Sequence, residues 1–138
     1  MNDAAWQLPA EWESQSVVLI AWPHAGTDWA ANLADVESTY VALAAAVTRF
    51  QHLVVVVADD ALREHVRVRL ASAGVNLARV RLVLTEYDDT WLRDSGPITQ
   101  RDGDRFRLLD FHFTGWGGKF GASRDDLLIG ALHANSVF

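Results

Sequence analysis

Three polar stretches carry the residues that could do chemistry. WPHAGTDW (22–29), DDTWLRDSGP (88–97) and TGWGGKF (114–120) each hold a tryptophan, and the first two hold aspartate. A carboxylate matches the planar fork of a guanidinium in a bidentate pair, and an indole face stacks on the same cation. Asp94 with Trp91 is therefore a candidate guanidinium site. Spacing alone leaves a second reading open, in which Asp94 caps the Asp-Ser-Gly-Pro turn and Arg93 pairs with a neighbouring acid. Trp22, Trp29 and Trp116 also sit beside Gly, Pro or charged residues, the loop setting in which aromatics line pockets. Core packing is the plain alternative for any of the six tryptophans.

Other chemistries are poorly served. GWGGKF lacks the glycine spacing of a phosphate loop, and Phe120 follows Lys119 where a hydroxyl residue would be needed. Gly117 and Gly118 instead allow positive φ or close backbone approach. Lys119 is read either as a solvated side chain or as a cation that fixes nearby acids. None of the five histidines has paired metal-ligand spacing, so neither a metal nor a cofactor is expected. No G-x-S-x-G elbow occurs. With no cysteine, the chain has no disulfide, no thiolate metal site and no cysteine nucleophile of its own.

The loops need a scaffold, and the pattern between them supplies one. SVVLIAWP (16–23), HLVVVVAD (52–59) and VRLVLTEY (80–87) are apolar runs that read as buried strands. Leu33, Val36, Tyr40, Leu43, Val47 and Phe50 recur at helical spacing, with Asp35 and Glu37 placed to suit the helix dipole. Asp59 or Asp60 caps a second helix with Leu62, Val66 and Leu70 on one face and Gly74 as its stop. ITQRDGDRFRLLDFHF reads as a hairpin turning at Asp-Gly, and RDDLLIGALHA as a last helix. The order predicts an α/β fold, with residues 1–138 as a single domain.

Bulk composition narrows the partners. Half the residues are hydrophobic, enough for a core, and the net charge of −6 disfavours nucleic acid and admits a cationic ligand. No apolar run approaches the ~18–20 residues of a membrane span, and MNDAAWQLPAEWE lacks a secretory signal, so a cytoplasmic protein is expected.

These residues resemble those of a known family. PAEWE (9–13), AWPHAGTDW (21–29), DDTWLRDSGP (88–97), LLDFHF (108–113) and GWGGKF (115–120) are similar, in this order, to segments of the agmatine deiminases and the related bacterial peptidylarginine deiminases, members of the guanidino-modifying or pentein superfamily. The family patterns are N-D-x-W-x-R-D-x-G-P and W-G-G-K-[YF], and Asp88 departs from the first by replacing its asparagine. The resemblance implies a five-bladed α/β propeller, with mixed sheets and helices outside. It also implies hydrolysis of a guanidinium to a ureido group through a cysteine thiolate, aided by a histidine. By match to the pattern, Asp94 is a guanidinium-binding aspartate and the candidate catalytic residue of this chain. Trp91, Trp116 and Asp89 match pocket positions, Trp22 and Trp29 are added as lining aromatics, and Arg93, Gly117, Gly118 and Lys119 as support.

The family's cysteine and histidine fall later than these motifs, so the sequence is expected to be the first two blades or so of a longer protein. The expected function is agmatine hydrolysis to N-carbamoylputrescine and ammonia, in putrescine synthesis, with this chain alone inactive. A peptidylarginine deiminase and a non-catalytic guanidinium-binding or assembly domain are the alternatives. Unpaired sheet edges predict self-association or association with the missing half.

Overall fold

A computed structural model describes residues 5–138; the first four residues of the N-terminal segment lie outside the described residues. Strands β1 (Val17–Ala21), β2 (His52–Val57) and β3 (Val80–Leu84) form one parallel sheet in that order. Its register pairs Val17 with His52 and Leu53 with Val80. Helices α1 (Leu33–Val47) and α2 (Asp60–Ser72) make the two crossovers. The Asp59 carboxylate accepts from Leu62 N–H at 2.7 Å and so starts α2.

β2 is central, and its side chains alternate between two cores. Leu53, Val55 and Val57 face α1 and α2 with Trp22, Ala44, Val66 and Leu70. Val54 and Val56 face the other way, toward Tyr87 and the last helix, α5 (Ser123–Ala134), through Leu128, Ile129 and Leu132. Both faces being covered explains why β2 reads as an unbroken valine run. Full burial of each such side chain contributes about 1.5–3 kcal/mol.

Two short one-turn segments carry the loops: α3 (Leu92–Ser95) and α4 (Gly115–Gly118). Between them, β4 (Ile98–Asp102) and β5 (Arg105–Leu109) form a separate antiparallel hairpin. The sheets are thus segregated by direction rather than each being mixed, and α-helices cover both faces of the parallel one. The described residues form no closed propeller.

Three local expectations change. The hairpin turns at Gly103-Asp104, since Asp102 pairs with Arg105; only Gly103 of the two has positive φ (+60°), the pattern of a type II′ loop with glycine first. The hairpin ends at Leu109, so 110–113 are not strand. In α1, Phe50 lies beyond the helix and is 78% exposed, while Ala44 and Glu37 are buried. Residues 40–47 are apolar almost throughout, so spacing there cannot choose the buried face.

Candidate functional site

The cleft lies where the loops after β1 and β3 meet α4 and the start of α5. It encloses about 270 Å³ and is lined by Gly26, Asp28, Asp88, Asp89, Trp91, Phe113, Trp116, Phe120, Gly121 and Asp125. Its lining therefore holds four carboxylates and no basic side chain among the described residues.

Each wall has a local cause. The loop before α3 is fastened by Asp89. Its Oδ2 accepts from Asp28 N–H (2.8 Å), and its Oδ1 accepts from Thr90 N–H (2.6 Å). The Thr90 hydroxyl in turn accepts from the Trp29 indole N–H at 2.8 Å. Trp29 then lies 6.0 Å from Trp91, ring centre to ring centre, and Trp91 lies 6.3 Å from Trp116 in an edge-on arrangement. Trp91 and Trp116 remain 37% and 46% exposed, which leaves indole surface open to a cation.

The opposite wall is built on a backbone of reversed hand. Gly115, Trp116, Gly117 and Gly118 all have positive φ (61°, 56°, 78° and 81°). Trp116, with ψ 51°, sits in the left-handed helical well, which costs a side-chain-bearing residue roughly 1–2 kcal/mol. Thr114 Oγ1 accepts from Gly117 N–H at 3.0 Å, and Gly118 N–H donates to Thr114 O at 2.8 Å. A Cβ on Gly115 would collide with the Phe120 carbonyl, so glycine is required there on two grounds. The strain places the Trp116 ring edge-on between Phe113 (5.2 Å) and Phe120 (5.6 Å).

The first turn of α5 closes the floor. Asp125 is 4% exposed, and burial raises its pKa above the usual carboxylate value; backbone N–H donors from Asp88 and Asp89 oppose that rise, and the Asp88 and Asp89 charges add to it. Asp126, beside it, is held below the usual value by the Phe113 N–H and by His112.

Among the residues singled out from sequence, Asp89, Trp91 and Trp116 come together at the cleft, with Trp29 behind Trp91. Trp22 does not join them. Its N–H donates to Val56 O at 2.9 Å, so it extends β1 by one residue and faces inward like Val18 and Ile20. It is fully buried, and its indole N–H donates to the buried Glu37 carboxylate at 2.8 Å. Glu37 is thus a core acceptor, with His65 Nε2 at 2.7 Å, rather than a free helix-dipole acid. Asp94 is exposed one turn after Trp91 on α3. Neither Asp94 nor Arg93 has a side-chain hydrogen bond or ion pair among the described residues, so the turn-capping reading is not realised either. Lys119 is exposed, lies over the Phe120 ring at 5.3 Å, and makes no ion pair among the described residues. Gly117 and Gly118 supply the reversed turn. PAEWE stays outside the cleft, where Glu13 pairs with Arg101 of the hairpin at 3.0 Å.

Sequence reasoning missed Asp28, Asp125, Phe113 and Phe120 as lining residues. Asp28 was within reach, since it sits in one of the polar loops; Asp125 was not, because an acid in a helix's first turn is ordinary.

The chain is similar in sequence and in fold to known proteins. Residues 7–137 match the family model of the Porphyromonas-type peptidyl-arginine deiminases. The agmatine deiminase of Stutzerimonas stutzeri (strain A1501) is 32% identical over 125 residues, covering 86% of this chain and 32% of that protein. The C. jejuni agmatine deiminase solved with substrate bound superposes at a TM-score of 0.83 and 24% identity, over 96% of this chain and 37% of that one, and attests the fold. A Porphyromonas gingivalis protein described as a candidate arginine deiminase gives a TM-score of 0.74 at 34% identity, over 94% and 37% of the two chains. The chain spans about a third of the length of the relatives it matches. On the match to residues 7–137, this chain is a member of the Porphyromonas-type peptidyl-arginine deiminase family.

Proposed function

We propose that the chain supplies one wall of the guanidinium pocket in a hydrolase of the agmatine deiminase type. The observation that carries this reading is the cleft itself, with the carboxylates of Asp28, Asp88 and Asp89, the partly exposed indoles of Trp91 and Trp116, and no basic side chain in its lining among the described residues. A guanidinium is planar, carries donors around its edge and is weakly hydrated, so edge-on carboxylates and a face-on indole fit it together. We assign the guanidinium contact to Asp94, which is exposed one turn after Trp91 and has no side-chain partner among the described residues, and which stands outside the lining of the cleft itself. The reaction would add water to the guanidinium carbon and release ammonia, leaving a ureido group. The thiolate of that route must come from outside these 138 residues, which contain no cysteine. In this reading the described elements are one domain, about two blades of an α/β propeller, and the exposed hairpin and sheet edges pair with the rest of the assembly.

Relatives at 32% identity are agmatine deiminases, which favours agmatine as the ligand. The family model's description favours peptidyl-arginine as a second reading.

Tryptophan fluorescence of the 138-residue chain tests this. Saturable quenching by agmatine, stronger than by putrescine and by a blocked arginine amide, is expected, with no ureido product formed. Equal response to agmatine and putrescine would remove the guanidinium reading. A stronger response to the arginine amide would shift the assignment to peptidyl-arginine, and ureido product from the chain alone would overturn the missing nucleophile.

A further inference from the structure

The first turn of α5 touches both walls of the cleft through two consecutive acids. Asp125 Oδ1 accepts from Asp88 N–H at 2.7 Å and from Asp89 N–H at 3.3 Å. Asp88 returns the contact: its Oδ2 accepts from Arg124 N–H at 2.8 Å and from Asp125 N–H at 3.4 Å, capping α5 from a distant part of the chain. From Asp89 the bonds run on to Asp28 and, through Thr90, to Trp29. Asp126 holds the other side. Its Oδ1 accepts from Phe113 N–H at 2.6 Å and its Oδ2 lies 2.8 Å from His112 Nδ1. Phe113 is the ring on which Trp116 rests.

We propose that Asp125 and Asp126 are positioning residues that together set the gap between the Trp91 wall and the Trp116 wall, and so the cleft's fit to a planar cation. The ligand half of this inference rests on the guanidinium reading above; the geometric half does not. Asp125 acts through others, since its carboxylate is turned into two backbone donors and is nearly sealed from solvent. What these positions require is an acceptor oxygen, because three of the four partners named are backbone N–H groups. An asparagine keeps that oxygen and loses only the charge; an alanine loses both.

This difference makes the test. Asp125→Ala and Asp125→Asn are made in the 138-residue chain, and the indole N–H resonances are followed by NMR alongside agmatine titration. Asp125→Ala is expected to move the Trp29 and Trp91 resonances and weaken agmatine binding about tenfold, the scale of a lost buried hydrogen-bond pair. Asp125→Asn is expected to restore both to within about twofold of the parent. The Trp22 resonance, bonded to Glu37 on the far face of the sheet, should stay in place and report an intact core. Unmoved Trp29 and Trp91 resonances in the alanine variant would overturn the proposal. So would an asparagine variant that binds as poorly as alanine with its indoles unmoved, which would mean that Asp125 meets the cation by charge. If Asp125→Ala loses the Trp22 signal and is unfolded, Asp126→Ala decides: Trp116 must shift with Trp22 unmoved, and an unmoved Trp116 sinks the inference. If the parent chain binds no agmatine, the guanidinium reading fails, and the indole shifts alone decide the clamp.

Discussion

Trp22 and Trp116 are the same residue type held by opposite means. Trp22 sits at the end of β1, has no exposed surface, and gives its backbone N–H to Val56 and its indole N–H to Glu37. Trp116 sits in left-handed backbone, is nearly half exposed, and leans on two phenylalanines. Around Trp22, burial between sheet and helices does the holding. Around Trp116, conformational strain is offset by a few hydrogen bonds and ring contacts. The difference separates a region whose sequence is chosen for volume from one whose sequence is chosen for direction.

Several substitutions sharpen or break that contrast. Leu53→Ala, at the centre of the sheet, should cost about 2–5 kcal/mol in urea unfolding without changing the slope of the transition. Glu37→Ala should cost about 1–3 kcal/mol, because the Trp22 indole N–H is left buried without an acceptor. Gly117→Ala should cost about 1–2 kcal/mol, since its Cβ meets open space and only the positive φ penalises it. If Gly117→Ala proved as damaging as Leu53→Ala, the cleft would have to be counted as part of the core.

The smallest effect is a pH slope, and here two neighbours pull in opposite directions. The Asp126 carboxyl titrates below its usual 3.8 in the folded chain, so its contribution is present above that value and is lost on acidification. The Asp125 carboxyl titrates above 3.8 when folded, so its contribution is present in acid and is lost as pH rises through the folded value. Thermal melts between about pH 3 and 6 should therefore show a shallower acid loss in Asp126→Asn and a steeper one in Asp125→Asn. Slopes of equal sign would show that the two carboxyls do not differ as the structure places them.

The parallel sheet was largely readable in advance, because a strand buried on both faces leaves a run such as LVVVV that few other structures produce. The Asp59 cap of α2 and the last helix were readable for similarly local reasons. Trp22 was misjudged because Pro23 and the polar loop after it are local signals, whereas its inward direction is set by the parity of β1, two residues on from Ile20. The Asp88–Asp125 exchange was out of reach for a different reason. It joins two segments that no spacing rule connects, and each acid taken alone has an ordinary use as a cap. Asp94 is the instructive middle case: its motif singled it out, and its carboxylate is exposed and without a side-chain partner among the described residues.

The turn from Gly115 to Gly118 has a consequence for chirality. A stretch of four positive φ angles is, locally, the mirror image of the backbone that protein-forming residues prefer. A D-alanine installed at Gly117 by chemical ligation would occupy its own favoured well there, and by narrowing the unfolded ensemble would raise stability by about 0.4–1 kcal/mol where the L-enantiomer lowers it. One of the cleft's two walls is thus built from the few positions in this chain where the handedness of the amino acid could be exchanged to advantage.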